Sequence, residues 1–359
     1  MIRSILFFII FCNSYCFSQE FNYREISKEY YDKKIDFIID TSSFKDITKY
    51  LPEHYVTDGT VDYTIHLQKA LNENRNILMP NFPILVNDSG LDIMNNSVVY
   101  FQKKSSLHLK PSDKRSYQII RIKDKSNIKI YNPKIYGDRN HHIGNSGEWG
   151  MGISITGSKN IEILNCNIKN CWGDGIYVGH SVNSSRNITI QGGIIDNNRR
   201  NGISVISVEK LLIKNVLISN TNGINPNTGI DIEPNYYYNN LNDIRIENVI
   251  TYNNKINGIL IHLAELPGIV EKKVSIDIIN HTDYLSQRPI RVSSALKKDL
   301  TNIKPLKGSI NIRNFKSFNN PYDGVINSNK YFPNVNIKNS NFKKNSLKPN
   351  FLYKLSNVK

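Results

Sequence analysis

"NGISVISVEKLLIKNVLISNTNGINPNTGIDIEPN", residues 201–235, contains one pattern twice: "NGISVIS" at 201 returns as "TGIDIEP" at 228. The same pattern occurs as "MGISITG" at 151, "DGIYVGH" at 174 and "NGILIHL" at 257. Its glycines, Gly152, Gly175, Gly202, Gly229 and Gly258, are spaced 23, 27, 27 and 29 residues apart. A second apolar run follows each of the first four: "NIEILNCNI" from 160, "NITIQGGII" from 187, "LLIKNVLI" from 211 and "DIRIENVIT" from 243. There Ile163, Ile190, Ile213 and Ile246 fall in register, as do Asn165, Asn215 and Asn248. Ile and Val alternate with polar residues, which is the period of a strand, and helical periodicity is absent.

Two short strands cannot bury their own apolar faces, so each unit gains a core only by stacking on its neighbours. An all-strand repeat of this length predicts an all-β, right-handed parallel β-helix, with asparagines in turns where their side chains bond the backbone. Leucine-rich repeats have a similar length, but their leucine spacing is missing. Weaker coils extend the pattern upstream, at "SVVYFQKKSSLHLKP" from 97 and "NIKIYNPKIYGD" from 127. Downstream, "GSINIRNFKSFNN" from 308 and "NVNIKNSNFKKN" from 334 extend it again, with 284–307 expected as an inserted loop.

The expected organisation is a signal peptide at 1–18, an N-terminal extension at 19–54, one β-helix domain at 55–345 and a C-terminal tail at 346–359. The signal is read from Arg3 ahead of a short apolar run, with small residues before a cut after Ser18. That run is shorter than the roughly 20 residues a membrane span requires, so the chain is expected to be secreted or periplasmic, with no membrane span. A helix at about 62–74 would cap the solenoid, with Ile65, Leu67, Ala70 and Leu71 largely on one face.

Of four cysteines, Cys12 and Cys16 leave with the signal. Cys166 and Cys171 are expected to fill the core ahead of forming a disulfide. The formal charge of +15 favours polyanionic partners, which outside a cell include acidic polysaccharides, although a genome-level bias toward Ile, Lys and Asn codons would produce the same balance. No dense Lys/Arg block and no nucleic-acid-binding signature occurs, which excludes nucleic acid as the expected partner.

If the glycines align the coils, outward residues of the first sheet stack about 4.8 Å apart. One ladder then carries Ser154, Tyr177, Ser204, Asp231 and Leu260, and the next carries Thr156, Gly179, Ile206, Glu233 and His262. Only the coil at 228 presents two carboxylates, with Cα atoms roughly 7 Å apart, so their heads can fall within the 5–9.5 Å range of glycosidase pairs. Asp231 and Glu233 are thus candidate acid/base groups, with Asp174 as a third carboxylate. They equally suit Ca²⁺, the one cofactor the sequence suggests. Arg199, Arg200, Tyr177, His180 and His262 are candidates for abstracting a uronate proton or neutralising its carboxylate. Glu148, Trp149, Trp172, His180, Ser204, Tyr236 and His262 are candidate substrate contacts, Tyr236 heading the run Tyr236-Tyr237-Tyr238.

Simpler accounts exist for each. Asp231 and Glu233 could be a solvated face paired with Arg199 and Arg200. Trp149 and Trp172 could be core anchors. His141-His142 could serve a metal only with further ligands.

The chain resembles the pectate lyase superfamily of secreted β-helix proteins over roughly residues 55–345. The resemblance rests on "DGTVDYT" at 58–64 with "LQKAL" at 67–71, and on the coils "GEWGMGI", "WGDGIYVG" and "GIDIEPN". It implies the fold and a polysaccharide substrate. It spans lyases, hydrolases, epimerases and tailspikes, so the reaction is open: β-elimination on a uronate-containing glycan, hydrolysis through Asp231 and Glu233, or glycan binding without turnover. Asn227-Thr228-Gly229 is similar to the "NTD" motif of polygalacturonase-type hydrolases but has Gly where they have Asp, and their "DD" and "GHG" elements have no counterpart.

Overall fold

The computed structural model describes residues 37–293, 302–329 and 331–343. The expected signal peptide, part of the N-terminal extension and the C-terminal tail lie outside them. Nine strands form one sheet: β1 (Leu91–Asp92), β2 (Ser116–Lys123), β3 (Trp149–Thr156), β4 (Ile176–Gly179), β5 (Asn201–Val205), β6 (Thr228–Ile232), β7 (Asn257–His262), β8 (Arg288–Ser293) and β9 (Val325–Ile326). They stack in chain order, and every pairing is parallel. The rest of each coil joins an 18-stranded sheet. The chain is therefore an all-β parallel β-solenoid of about nine turns.

Two strands per unit are expected from the sequence; the coils beginning with β3 and β4 have two, and those beginning with β5, β6 and β7 have three. The extra strands, such as Leu217–Ser219, Ile250–Tyr252 and Thr282–Tyr284, are too short to show periodicity. The loop expected at 284–307 is also corrected, because β8 lies inside it and pairs with β7.

Asparagine makes the corners. In one coil Asn160, Asn165 and Asn170 have φ of 57°, 52° and 59°, all left-handed, and in the next Asn187, Gly192 and Asn197 take these places. Asparagine tolerates that region because its short side chain bonds locally. The side chains also ladder between coils: Asn127 donates to Asn96 at 2.8 Å, Asn160 to Asn127 at 2.8 Å and Asn187 to Asn160 at 2.9 Å. Codon bias is thus not needed to explain the asparagines.

The repeated glycine marks where opposite walls nearly touch. A Cβ on Gly202 would lie 2.2 Å from Ile218 Cγ2 and 2.6 Å from the Gly229 carbonyl. Elsewhere the interior is stacked Ile and Val, including Ile153, Ile176, Ile203, Ile230, Ile259 and Ile290, all fully buried. Cys166 and Cys171 are free and buried in that core, and burial pushes the Cys166 thiol up to about 12.

Toward the C-terminal end the interior also holds a polar cluster. Asp283 accepts from Thr251 Oγ1 at 2.6 Å, from Ser286 Oγ at 2.7 Å and from Asn320 Nδ2, while Thr251 Oγ1 meets His281 Nε2 at 2.9 Å. Both titratable groups are fully buried. Burial pushes Asp283 up to about 7 and His281 down to about 3, so each is neutral at moderately acid pH.

Helix α1 spans Thr64–Glu73, with Asp62 Oδ1 accepting from the Thr64 backbone N–H at 3.0 Å. Leu67, Ala70 and Leu71 are buried beside β1 and the turn Ile47–Tyr50. Ile65, expected on that face, is instead 80% exposed, because it falls on the far side of the helical turn.

Candidate functional site

The strand register places Arg121, Ser154, Tyr177, Ser204, Asp231, Leu260 and Arg291 on one ladder along the nine-stranded sheet. Asp231 is fully buried, so its account as a solvated face fails. Asn201 Nδ2 donates to Asp231 Oδ2 and to Ser204 Oγ, both at 3.0 Å. Asp231 Oδ1 has no partner among the described residues. Burial raises this carboxyl well above the usual carboxylate range, and Glu233 and Asp174 add to the rise while Arg200 opposes it. Glu233 follows β6 directly and is half-buried, its N–H donating to the Val205 carbonyl at 3.1 Å.

Arg200 pairs with Asp174 and not with Asp231. Its Nη1 lies 3.1 Å from Asp174 Oδ2 and 3.3 Å from Oδ1, and its Nε lies 3.6 Å from Glu148 Oε2. Asp174, also fully buried, accepts from the Asn201 N–H at 3.1 Å. Burial raises its pKa and Arg200 opposes the rise. In return Asp174, Asp231 and Glu148 outweigh burial and raise the affinity of Arg200 for its proton.

Asn201 is the residue the sequence argument missed. It links Asp174, Ser204 and Asp231, and its signal was present: a polar residue precedes the glycine in successive coils as Asn201, Thr228 and Asn257. These also bond in a row, Thr228 N to Asn201 Oδ1 at 3.1 Å and Asn257 Nδ2 to Thr228 Oγ1 at 3.2 Å.

Ser204, expected to touch substrate, is fully buried with its hydroxyl held by Asn201. Tyr177 folds back over Gly179, and burial pushes its phenol up to about 12, away from any role as a base near neutrality. Trp172 is half-buried and packs against the core, and it is not a free platform. The His142 ring lies 3.9 Å from it and the Arg199 guanidinium 3.7 Å, so both faces are covered. Arg199 pairs with no described carboxylate; its Nη1 donates to the carbonyls of Gly147 and Trp172, at 2.7 and 3.0 Å.

Trp149 is 51% exposed. Beyond β6, Tyr236 and Tyr238 stack 4.9 Å apart, and the His180 ring meets both edge-on. His180 Nδ1 lies 3.1 Å from Asn239 Nδ2. His262 ends β7, one coil on from Glu233. Among the described residues no group of three or more His, Cys, Asp or Glu is arranged to hold a metal. His142 instead bonds Asp138 Oδ2 at 2.8 Å, both side chains fully buried, with Tyr117 donating to the other oxygen.

The site is thus a strip of carboxyls around one arginine, bordered by Trp149 at the start of its strands and Tyr236–Tyr238 at the end. Its chemistry is that of paired carboxyls whose environments differ, one sealed and one reaching solvent.

No protein-family model matches the chain. It is 28% identical over 162 residues to the SPbeta prophage-derived uncharacterized protein YorA and to the uncharacterized protein YclG, both of Bacillus subtilis strain 168. Those matches cover 40% and 41% of this chain and 28% of each relative. Among solved structures it is similar to an iota-carrageenase complexed to iota-carrageenan fragments, with TM-score 0.59 and 12% identity, over 86% of this chain and 92% of that one. A 1,3-alpha-1,4-beta-D-galactose-4-sulfate-3,6-anhydro-D-galactose-2-sulfate 4-galactohydrolase gives TM-score 0.56 and 13% identity, over 86% and 91%. No helix among the described residues is long and apolar enough to cross a membrane. Sequence identity this low speaks for the fold, and the fold is that of the pectate-lyase-like, right-handed parallel β-helix proteins.

Proposed function

We propose that the protein is a glycan-active enzyme that works by hydrolysis, with Asp231 as the proton donor and Glu233 as the carboxylate that activates water. The observation that carries this is the sealed carboxyl of Asp231, raised by burial well above the usual carboxylate range, two residues before the half-buried Glu233. A buried carboxyl beside one that reaches the surface is an arrangement suited to supplying an acid and a base at one pH. β-Elimination fits less well. Two of its candidate groups are engaged: Arg200 is held by Asp174 and Glu148, and the Tyr177 phenol is pushed up. The exposed rings of Trp149, Tyr236 and Tyr238 suit the apolar faces of sugars, and the names of the two similar structures point to polysaccharides.

Glycan binding without turnover is the second reading, favoured by the complete burial of Asp231, since a proton donor must reach its substrate. Incubation with neutral, uronate-containing and sulfated polysaccharides separates the possibilities. New reducing ends without the ultraviolet absorbance of an unsaturated uronate support hydrolysis; that absorbance supports elimination; retention without product supports binding alone. Asp231→Asn and Glu233→Gln should each lower turnover by about 10²–10⁴. Turnover unchanged in both variants rejects the pair. Activity lost to a chelator and restored by Ca²⁺ would make Asp231 and Glu233 an ion site instead.

A further inference from the structure

Arg139 and Arg199 lie together at the strand-start edge of the nine-stranded sheet, and neither forms an ion pair with a described carboxylate. Arg139 donates through Nη1 to Asn197 O and Oδ1, at 2.8 and 2.9 Å, and through Nη2 to Asn222 Oδ1 at 2.7 Å. Arg199 is fixed by the two carbonyls and by Trp172, which His142 backs from its other face. The turn at Asn222-Gly223 touches both: Asn222 takes Arg139, and a Cβ on Gly223 would lie 2.6 Å from Arg199 Cγ.

Both guanidiniums are half-buried and rigidly held, yet part of each is unspent. Nε and one Nη2 hydrogen of Arg139, and Nε and both Nη2 hydrogens of Arg199, have no acceptor among the described residues. Nε of both arginines and Nη2 of Arg199 are not sealed from solvent. Burial, and then the neighbouring Arg199, lower the affinity of Arg139 for its proton, and Asp196 offsets that only in part. An anion between them would relieve that repulsion. It would also meet donor forks already in place, so little side-chain entropy is lost on binding.

We propose that Arg139 and Arg199 form an anion subsite for a carboxylate or sulfate ester on the glycan, beside the carboxyl strip. This rests on the glycan-active reading above and adds the substrate class. Local charge favours this place: Asp174, Asp231 and Glu148 all act on Arg200 at the centre and would repel a second anionic group, whereas of these only Glu148 acts on Arg199.

The test is retardation in native gels cast with polygalacturonate, which carries only carboxylates, iota-carrageenan, which carries only sulfates, or neutral dextran. The protein should be retarded by one of the anionic glycans and not by dextran, and which glycan acts identifies the anion. Arg139→Gln and Arg199→Gln should each weaken that retardation about tenfold, the loss expected for one charge-assisted contact. Asn222→Asp keeps both arginines but supplies Arg139 with a competing carboxylate, and it should weaken retardation in a protein whose folding is unchanged. Asp231→Asn, run beside them, should lose turnover and keep retardation. Equal retardation of wild type and all three subsite variants, or no preference for anionic glycans over dextran, overturns the subsite. Failure of the Asp231→Asn turnover arm alone overturns only the hydrolytic assignment.

Discussion

Replacing Asp283 by Asn should change how the stability of this protein depends on pH. The folded pKa of Asp283 is raised to about 7, against about 3.9 in an unfolded chain. The native state therefore holds a proton that the unfolded state has released between those values. The sign follows: the contribution of Asp283 is full below about pH 4 and is lost as pH rises to about 7, at about 1.4 kcal/mol per pH unit. The total is on the order of 4 kcal/mol. His281 works in the opposite sense. Its folded pKa falls to about 3, so its contribution is full above about 6.5 and is lost as pH falls. Thr251 Oγ1 touches both groups, and between about pH 4 and 6.5 their slopes nearly cancel. Asp283→Asn preserves size and removes one slope. In urea melts, its stability minus that of wild type should climb by about 1.4 kcal/mol per unit from pH 4 to 7 and then level off. A difference that stays flat across that window would refute the buried, neutral assignment of Asp283.

Arg200→Gln should cost about 3–5 kcal/mol, because it strands the buried carboxyl of Asp174 without its partner. The cost should shrink in acid, where Asp174 is protonated, and in the double variant with Asp174→Asn; a penalty independent of pH would contradict the pairing. Gly202→Ala should cost about 1–3 kcal/mol by overpacking against Ile218, and an unchanged thermal midpoint would show that the walls are not as close as described.

Much of the fold was legible because a solenoid repeats its own rules. The Gly-Ile pattern marked the close approach of two walls, and the matched isoleucines marked the core. The in-register asparagines Asn165, Asn215 and Asn248 marked one left-handed corner. Strand β8 was hidden because Pro289, Arg288 and Arg291 mask its alternation, and the three-residue strands because they offer too few positions to show any. At the site, the ladder of Tyr177, Ser204, Asp231 and Leu260 was read correctly from spacing alone. Asn201 was overlooked because an asparagine before a glycine is also an ordinary turn residue.

The sequence by itself determined that the chain stacks coils, which residues share a ladder, and that one coil carries two carboxylates. Those follow from the two-residue period of a strand and the repeat length, both local properties. Tertiary structure decided what each polar group meets. Asp231 is sealed and held by an asparagine from the preceding coil, Arg200 is bound to Asp174, and Trp172 is closed between His142 and Arg199. Each of these depends on contacts between residues 26 to 30 positions apart, across coils whose stacking brings them within hydrogen-bond or ring-stacking distance. Burial and partners set the charge state of a carboxyl, and neither is written in the residue or its neighbours along the chain.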